Sequence, residues 1–302
     1  MGRGSGSAGA ASRAVGPHSA LDDTTHRVGA VRHDQRTVTV ESADDPRLAE
    51  FADLRHRAPG GATGRIAIVE SQPVIERLVG SRFVPQSFLL SRRRADSLAT
   101  TLAAFPDAAV YVADDAVLEQ VVGFDLHRGA LAACALPAEP DEAALYAASQ
   151  RIVVLEGSND PENIGAIARS ARALGIDALV LDPTCATAYS RRAIRVSMGE
   201  LLHLPVLHAS DWPAPIARLH DHGFDTWALT PNRDADCIFD LTPPPRVALI
   251  AGAEGPGLTD TALSTAMRRV RIPLRDDVDS LNLGHALAIA IAHVSRPRPP
   301  TQ

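Results

Sequence analysis

The sequence contains no lysine; all thirty of its basic side chains are arginine, in a chain of 302 residues with a formal net charge of −6. Aromatic residues make up only 4%, so the core has to be built from Ala, Val, Leu and Ile. The three cysteines, Cys134, Cys185 and Cys237, are far apart and show no CxxC pairing. That argues against a disulfide framework or a structural zinc site. No apolar run reaches the ~18 residues a membrane span needs, and the longest, residues 286–294, reads as a buried helix. The opening stretch MGRGSGSAGAASRAVGPHSA lacks the apolar segment of a secretory signal. These absences point to a cytoplasmic protein with no membrane partner. The acidic balance excludes coating nucleic acid by bulk charge. The arginine bias reads first as an imprint of GC-rich coding. Its functional reading, that a planar guanidinium fork suits phosphate, has to be argued residue by residue.

What is present is ordinary for a globular α/β protein: 45% apolar and 22% charged residues. The length suggests two domains, or one large one. Residues 1–44 lack hydrophobic periodicity and read as a disordered tail, and order is expected to begin at Asp45-Pro46, with DPRLAEFADLR at helical spacing. Strands RIAIVES, QSFLLS, AAVYVA and GALAACAL then alternate with helices QPVIERLVG, RADSLATTLAAF and VLEQVVG, which predicts a small α/β domain over residues 45–137. The Pro-, Glu- and Ala-rich stretch 138–149 reads as a linker. A second α/β series fills residues 150–296, with strands RIVVLEG, DALVLD, LPVLHA, FDTWALT, RVALIAG and RRVRIPL and helices beginning near Glu162, Ser190, Asp211, Thr259 and Ser280. Near-continuous Val/Ile/Leu runs mark strands buried on both faces, as in a parallel sheet. Residues 297–302 end regular structure.

In such a sheet, ligand chemistry belongs at the carboxyl ends of the strands, and three of those ends carry unusual residues. The first is EGSNDPENIGAIARSARALG. Pro161 suits a helix start, and Asp160 and Glu162 suit its positive end. Asn163 and Arg169, six residues apart, do not stack on one helix face, so they converge only if Asn163 sits in the loop. Gly165 would admit a substrate or a neighbouring chain. Taken alone, a capping Asn and a solvated Arg explain this segment. The second is ALIAGAEGPGLTD, in which Gly252, Gly255 and Gly257 surround Glu254 and could offer backbone N–H groups to an anionic or nucleoside ligand. The third is RIPLRDDVDSLNLGHALAIAIAH, with Ser280 as the expected helix N-cap and Asn282 in the first turn.

Together, in this order, NxGxxxR, GAEGPG and IPL…SLN resemble the three motifs of the SpoU–TrmH branch of the SPOUT superfamily, the RNA 2′-O-ribose methyltransferases. The resemblance runs from Arg151 to about Val294. The segment before it is similar in organisation to the family's N-terminal substrate-binding domain, which resembles kink-turn-binding ribosomal proteins.

The resemblance implies a mostly parallel sheet with a deep trefoil knot, S-adenosyl-L-methionine as methyl donor without a metal, a homodimer, and a structured RNA substrate, with ribosomal favoured over transfer RNA. It places the cofactor on Gly252, Ile272 and Leu281, with Leu274 shaping the cavity. It matches Asn163 and Arg169 to the first motif's active-site pair, Glu254 to the second motif's acid, and Ser280 and Asn282 to the third. Arginine stays protonated, with a pKa above about 12. Arg169 is therefore read as orienting the target phosphate and stabilising an alkoxide, across a dimer interface, with the general-base role that the family resemblance implies, through deprotonation in a special environment, as the alternative. Arg191, Arg192 and Arg195 on one short helix, and Arg92, Arg93 and Arg94 ahead of it, are candidate RNA contacts or plain solvated faces. Motif three departs from the family at Leu283, Gly284 and His285, where a small-apolar run is usual; His285 is read as a core or interface histidine, or one that tunes the site.

Two other readings stand beside this one. A catalytically silent RNA-binding or assembly factor would keep the fold but lose part of the set Asn163, Arg169, Glu254, Ser280 and Asn282. A nucleotide-dependent oxidoreductase would carry its glycine loop after the first strand of the domain, where this chain has EGSNDPENIG.

Overall fold

The structure, a computed structural model, describes residues 1–2, 37–55, 65–124 and 129–296. Its strands form two sheets. The first contains β1 (Thr37–Thr39), β2 (Ile66–Glu70), β3 (Val84–Ser91), β4 (Ala109–Ala113) and β5 (Ala130–Ala135), in the order β1-β4-β3-β5-β2. Strand β4 lies parallel to β1 and β3, and β5 runs antiparallel to β2 and β3. Helices α1 (Gln72–Glu76), α2 (Arg92–Ser97), α3 (Ala99–Ala103) and α4 (Asp115–Val122) connect them.

Three expectations need correction here. Residues 37–44 do not belong to a tail: Val38 pairs with Tyr111, and Val40 is buried. The Thr-Val-Thr-Val run is too short to show a period, and its partner strand lies some seventy residues on, so only tertiary pairing reveals it. The rest of the expected tail, residues 3–36, lies outside the described residues, as do residues 297–302. Asp45 instead caps a 3-10 turn, Pro46–Phe51, whose Leu48 and Phe51 are buried. The expected single helix RADSLATTLAAF breaks at Leu98 into α2 and α3.

The linker reading fails in its second half. Residues Glu142–Ala148 form α5, capped by the Asp141 carboxylate, which accepts the Ala144 N–H at 2.8 Å. Tyr146 is fully buried, with its ring edge-on to those of His222 and Phe224. Its Glu- and Ala-rich composition, read as spacer, is that of a good helix former.

The second sheet is entirely parallel. It holds β6 (Arg151–Glu156), β7 (Ala178–Leu181), β8 (Val206–His208), β9 (Asp225–Leu229), β10 (Asp236–Cys237), β11 (Val247–Gly252) and β12 (Arg268–Arg271), in the order β10-β12-β9-β11-β6-β7-β8. Helices α6 (Pro161–Ala173), α7 (Arg191–Val196), α8 (Ala214–Asp221), α9 (Asp260–Thr265) and α10 (Leu283–Val294) accompany it. Alternate residues face opposite sides. Ile152, Val154, Val180 and Ile250 pack with Tyr146, Ile216 and Phe224; Val153, Leu155, Leu179 and Leu249 pack with α6 and α10. Both faces are covered, as the unbroken apolar runs require.

The two sheets share one core. Phe83 meets Tyr189 edge-on at 5.1 Å, and Glu70, at the end of β2, accepts Arg191 Nη1 at 2.6 Å.

Candidate active site

The chemistry-bearing residues gather where β6, β9, β11 and β12 end. Past β6 the chain turns at Gly157, whose N–H donates to Asp182 Oδ1 at 2.9 Å. Asp182 also accepts from Thr184 N and Oγ1 and from Cys185 N. Burial opposes ionisation of this carboxyl, but these donors outweigh it and hold the group below its usual range. The anchored turn delivers α6, where Asp160 accepts the Glu162 N–H at 2.9 Å and Pro161 takes the first helical position.

Asn163 therefore sits in the first turn of α6, not in the loop. Its Nδ2 donates to Glu254 Oε1 at 3.3 Å, and its Oδ1 accepts Asn282 Nδ2 at 3.2 Å. Asn282 Nδ2 also donates to Glu254 Oε1 at 2.5 Å, and the Leu283 N–H does so at 3.1 Å. Three residues from three widely separated segments thus close a hydrogen-bonded triangle. Its acid accepts three donors on one oxygen, which makes it an orienting group for both amides.

Beside the triangle lies a cavity of about 340 Å³. Gly252, Ile272, Leu274 and Leu281 all line it, together with Glu254, Ser280 and Asn282. Leu229, Thr230 and Pro231, at the end of β9, complete it and escaped the sequence reading. The available signal was that ALTPN ends a strand neighbouring β11 in the sheet. Glycine at 252 is required by the chain itself. A Cβ there would lie 2.2 Å from the backbone carbon and oxygen of Gly257, because residues 253–257 fold back and the Gly257 N–H bonds the Ala253 carbonyl.

Several expected roles shift. Ser280 is exposed and lines the cavity, but the N-cap of α10 is Asn282, whose Oδ1 accepts the His285 N–H at 3.2 Å. The helix begins two residues later than expected, since Asn satisfies a first-turn donor as well as Ser does. Gly165 admits no ligand or second chain: a Cβ there would lie 2.6 Å from the Ala193 carbonyl, so the residue lets α6 pack on α7. Gly284 is buried against Ala166, and His285 is exposed, which removes the core reading for that histidine.

Arg169 is not brought to the triangle. Six residues at 3.6 per turn put it about 240° round α6 from Asn163. It is exposed and has no hydrogen bond or ion pair among the described residues. The candidate RNA cluster is, by contrast, engaged within the chain. Arg191 and Arg195 reach Glu70 at 2.6 and 3.5 Å, Arg191 also stacks over Phe124, and Arg192 reaches Glu162 at 2.5 Å. Arg94 donates to Gln72 at 2.7 Å, while Arg92 and Arg93 are exposed. Among the described residues no helix is long and apolar enough to cross a membrane.

Residues 150–292 match the SpoU rRNA methylase family. The chain is also 42% identical, over 84% of its length and 90% of the relative's, to an uncharacterized tRNA/rRNA methyltransferase of Mycobacterium tuberculosis. The chain belongs to the SpoU rRNA methylase family. Other relatives of this SpoU methylase include a 23S rRNA guanosine 2′-O-methyltransferase of Bacillus subtilis, 23% identical over 84% of this chain and 98% of that protein. Among solved structures, an RNA 2′-O ribose methyltransferase superposes with a TM-score of 0.68 at 26% identity, covering 85% of this chain and 98% of that one. The AdoMet-bound rRNA methyltransferase of Sinorhizobium meliloti shares the fold, with a TM-score of 0.73 at 19% identity over 86% and 97% of the two chains. The mostly parallel α/β architecture expected from the motifs is the one these RNA methyltransferases share.

Proposed function

We propose that this SpoU methylase transfers a methyl group from S-adenosyl-L-methionine to a ribose 2′-hydroxyl of structured RNA, with ribosomal RNA favoured. The carrying observation is the triangle of Asn163, Glu254 and Asn282 at the edge of a cavity lined by Gly252, Ile272, Leu274 and Leu281. About 340 Å³ falls within the ordinary range for a small-molecule site. Its Leu, Ile and Ala walls suit an adenosine, and its polar end is the triangle itself. When bound, the cofactor supplies a methyl group made electrophilic by the sulfonium. The names of the relatives support the substrate class, the Bacillus subtilis 23S rRNA enzyme most directly.

The protein's part is alignment and charge. Glu254 fixes both amides, leaving Asn163 and Asn282 set to orient a ribose. Ser280, exposed at the rim, is free to hydrogen-bond the same sugar. Arg169, pointing away from its own triangle, suits delivery to the cavity of a second copy, where its guanidinium steers the target phosphate and steadies the alkoxide as the hydroxyl proton passes to solvent water. The reading thus includes a homodimer and the knotted threading of the cofactor loops. Residues 45–137 act in it as the RNA-substrate domain and residues 150–296 as the methyltransferase domain. Of the three arginines on α7, Arg192, whose side chain is 59% exposed, is the best placed to exchange its carboxylate for an RNA phosphate.

Calorimetry with S-adenosylmethionine tests the cofactor, and a folded protein that fails to bind it would sink the reading. Comparing ribose methylation in RNA from a deletion strain and from wild type identifies the nucleotide. Cofactor and RNA binding without any lost methyl mark would favour a catalytically silent factor instead.

A further inference from the structure

A second, wider cavity lies at the other end of the second sheet. It is an open cleft of about 840 Å³ at the amino ends of β6 and β11 and the carboxyl end of α10. Strands of six residues separate it from the candidate active site by about 20 Å. Arg151, Arg246 and Arg296 line it, with Pro243, Pro244 and Pro245 forming an apolar wall.

These arginines differ from those of α7 and α8. Arg191, Arg192, Arg195 and Arg218 each pair with a carboxylate, but none of the three in the cleft has a carboxylate partner among the described residues. Arg151 Nε donates to the Val294 carbonyl at 3.2 Å, and Arg246 Nη2 donates to the Tyr146 carbonyl while its guanidinium lies over the Phe224 ring. Arg296 Nε donates to the His293 carbonyl at 3.3 Å. Each fork is thus held by main chain or ring and keeps N–H groups to spare. Arg246 Nε and Ser295 Oγ are closed to solvent and have no partner at all, a rare state for buried polar atoms. The nearby carboxylate, Asp177, is occupied by the backbone N–H groups of Gln150 and Arg151.

We propose that this cleft is a second RNA-contact site, taking phosphates of a single-stranded segment some 20 Å from the methylated nucleotide. Arg151 keeps both Nη groups for a bidentate phosphate contact, while Arg246, and Arg296, whose Nη2 meets His293 Nδ1, each keep Nη1 for a single one. The cleft volume matches one or two nucleotides, the scale of a small-ligand site. The choice of a strand over a free nucleotide rests on the RNA methyltransferase reading; the phosphate chemistry does not.

The test is fluorescence anisotropy of a labelled eight-nucleotide single-stranded RNA on the full chain, compared with the double variant Arg151→Gln, Arg296→Gln. The variant is expected to bind at least about tenfold more weakly at low salt. Its log–log salt slope is expected to shrink by about 1.4, two phosphates at about 0.7 each. S-adenosylmethionine binding by calorimetry should be unchanged, so failure here is distinguishable from failure of the methyltransferase reading. An unchanged affinity and slope in a variant with an unaltered circular-dichroism melt overturns the proposal. ATP that displaces the strand at equal concentration overturns its RNA half and assigns the cleft to free nucleotides; ATP that does not displace it sustains the proposal.

Discussion

Two glutamates stand at the carboxyl ends of adjacent strands, and the same side chain does opposite work in each. Glu156 closes β6 with 5% exposure. It accepts Trp212 Nε1 at 2.6 Å and both Thr259 N and Oγ1 at 2.8 Å. Glu254, two residues past the end of β11, is exposed and accepts from Asn163, Asn282 and Leu283. Glu156 ties the loop that leaves the β11 turn to the sheet, whereas Glu254 binds the starts of α6 and α10 to its own turn. A buried carboxylate with three donors is a fastening, and an open one with three donors is a template. Accessibility, not hydrogen-bond number, separates framework from site.

That contrast can be broken by mutation. The largest effect is expected from Arg169→Ala, on the template side. Methyl transfer should fall about 10³-fold, roughly 4 kcal/mol of transition-state stabilisation, with stability within about 0.5 kcal/mol of wild type. Activity assays with urea titrations would show this, and an active variant would move the catalytic cation elsewhere. Glu156→Ala should instead cost about 3 kcal/mol of folding stability, since it strands three donors in a buried position. A small change in urea midpoint would show that water replaces the carboxylate easily. Glu254→Ala should reduce kcat about 10²-fold through misplaced amides and cost less than about 1 kcal/mol of stability. A large stability loss there would erase the distinction between the two acids. Thr259→Val removes one donor to Glu156 and the cap of α9, whose Ala262 N–H it accepts at 3.2 Å. About 1–2 kcal/mol of stability should go, with S-adenosylmethionine affinity nearly kept.

Glu254 was legible in the sequence and Glu156 was not, for a physical reason. Glu254 sits between glycines in a motif whose spacing carries meaning, whereas Glu156 looks like the polar end of any buried strand. Its partners lie 56 and 103 positions away, out of reach of local pattern. The same divide runs through the fold. The strands of the second sheet were readable because both-face burial leaves unbroken apolar runs. β1 was missed because three residues hold no period, and α5 because its composition resembles a spacer. Asn163, Glu254 and Asn282 could be named as candidates from the motifs, but their triangle is a fact of tertiary structure. The arginines on α7 show the reverse error: a basic stripe in sequence, largely neutralised in space by Glu70 and Glu162.

The turn at the end of β11 sets a limit on what the cavity can be made to accept. At Gly252 the main chain faces main chain with no room for a methyl group, so that side of the cavity has a fixed gauge that side-chain replacement cannot widen. Ile272, Leu274 and Leu281 line the same cavity with side chains whose replacement can change its width. On the methyl-transfer reading, redesign for a bulkier alkyl donor therefore begins at those three positions, and a bump placed on the donor's Gly252 side should be refused whatever they are changed to.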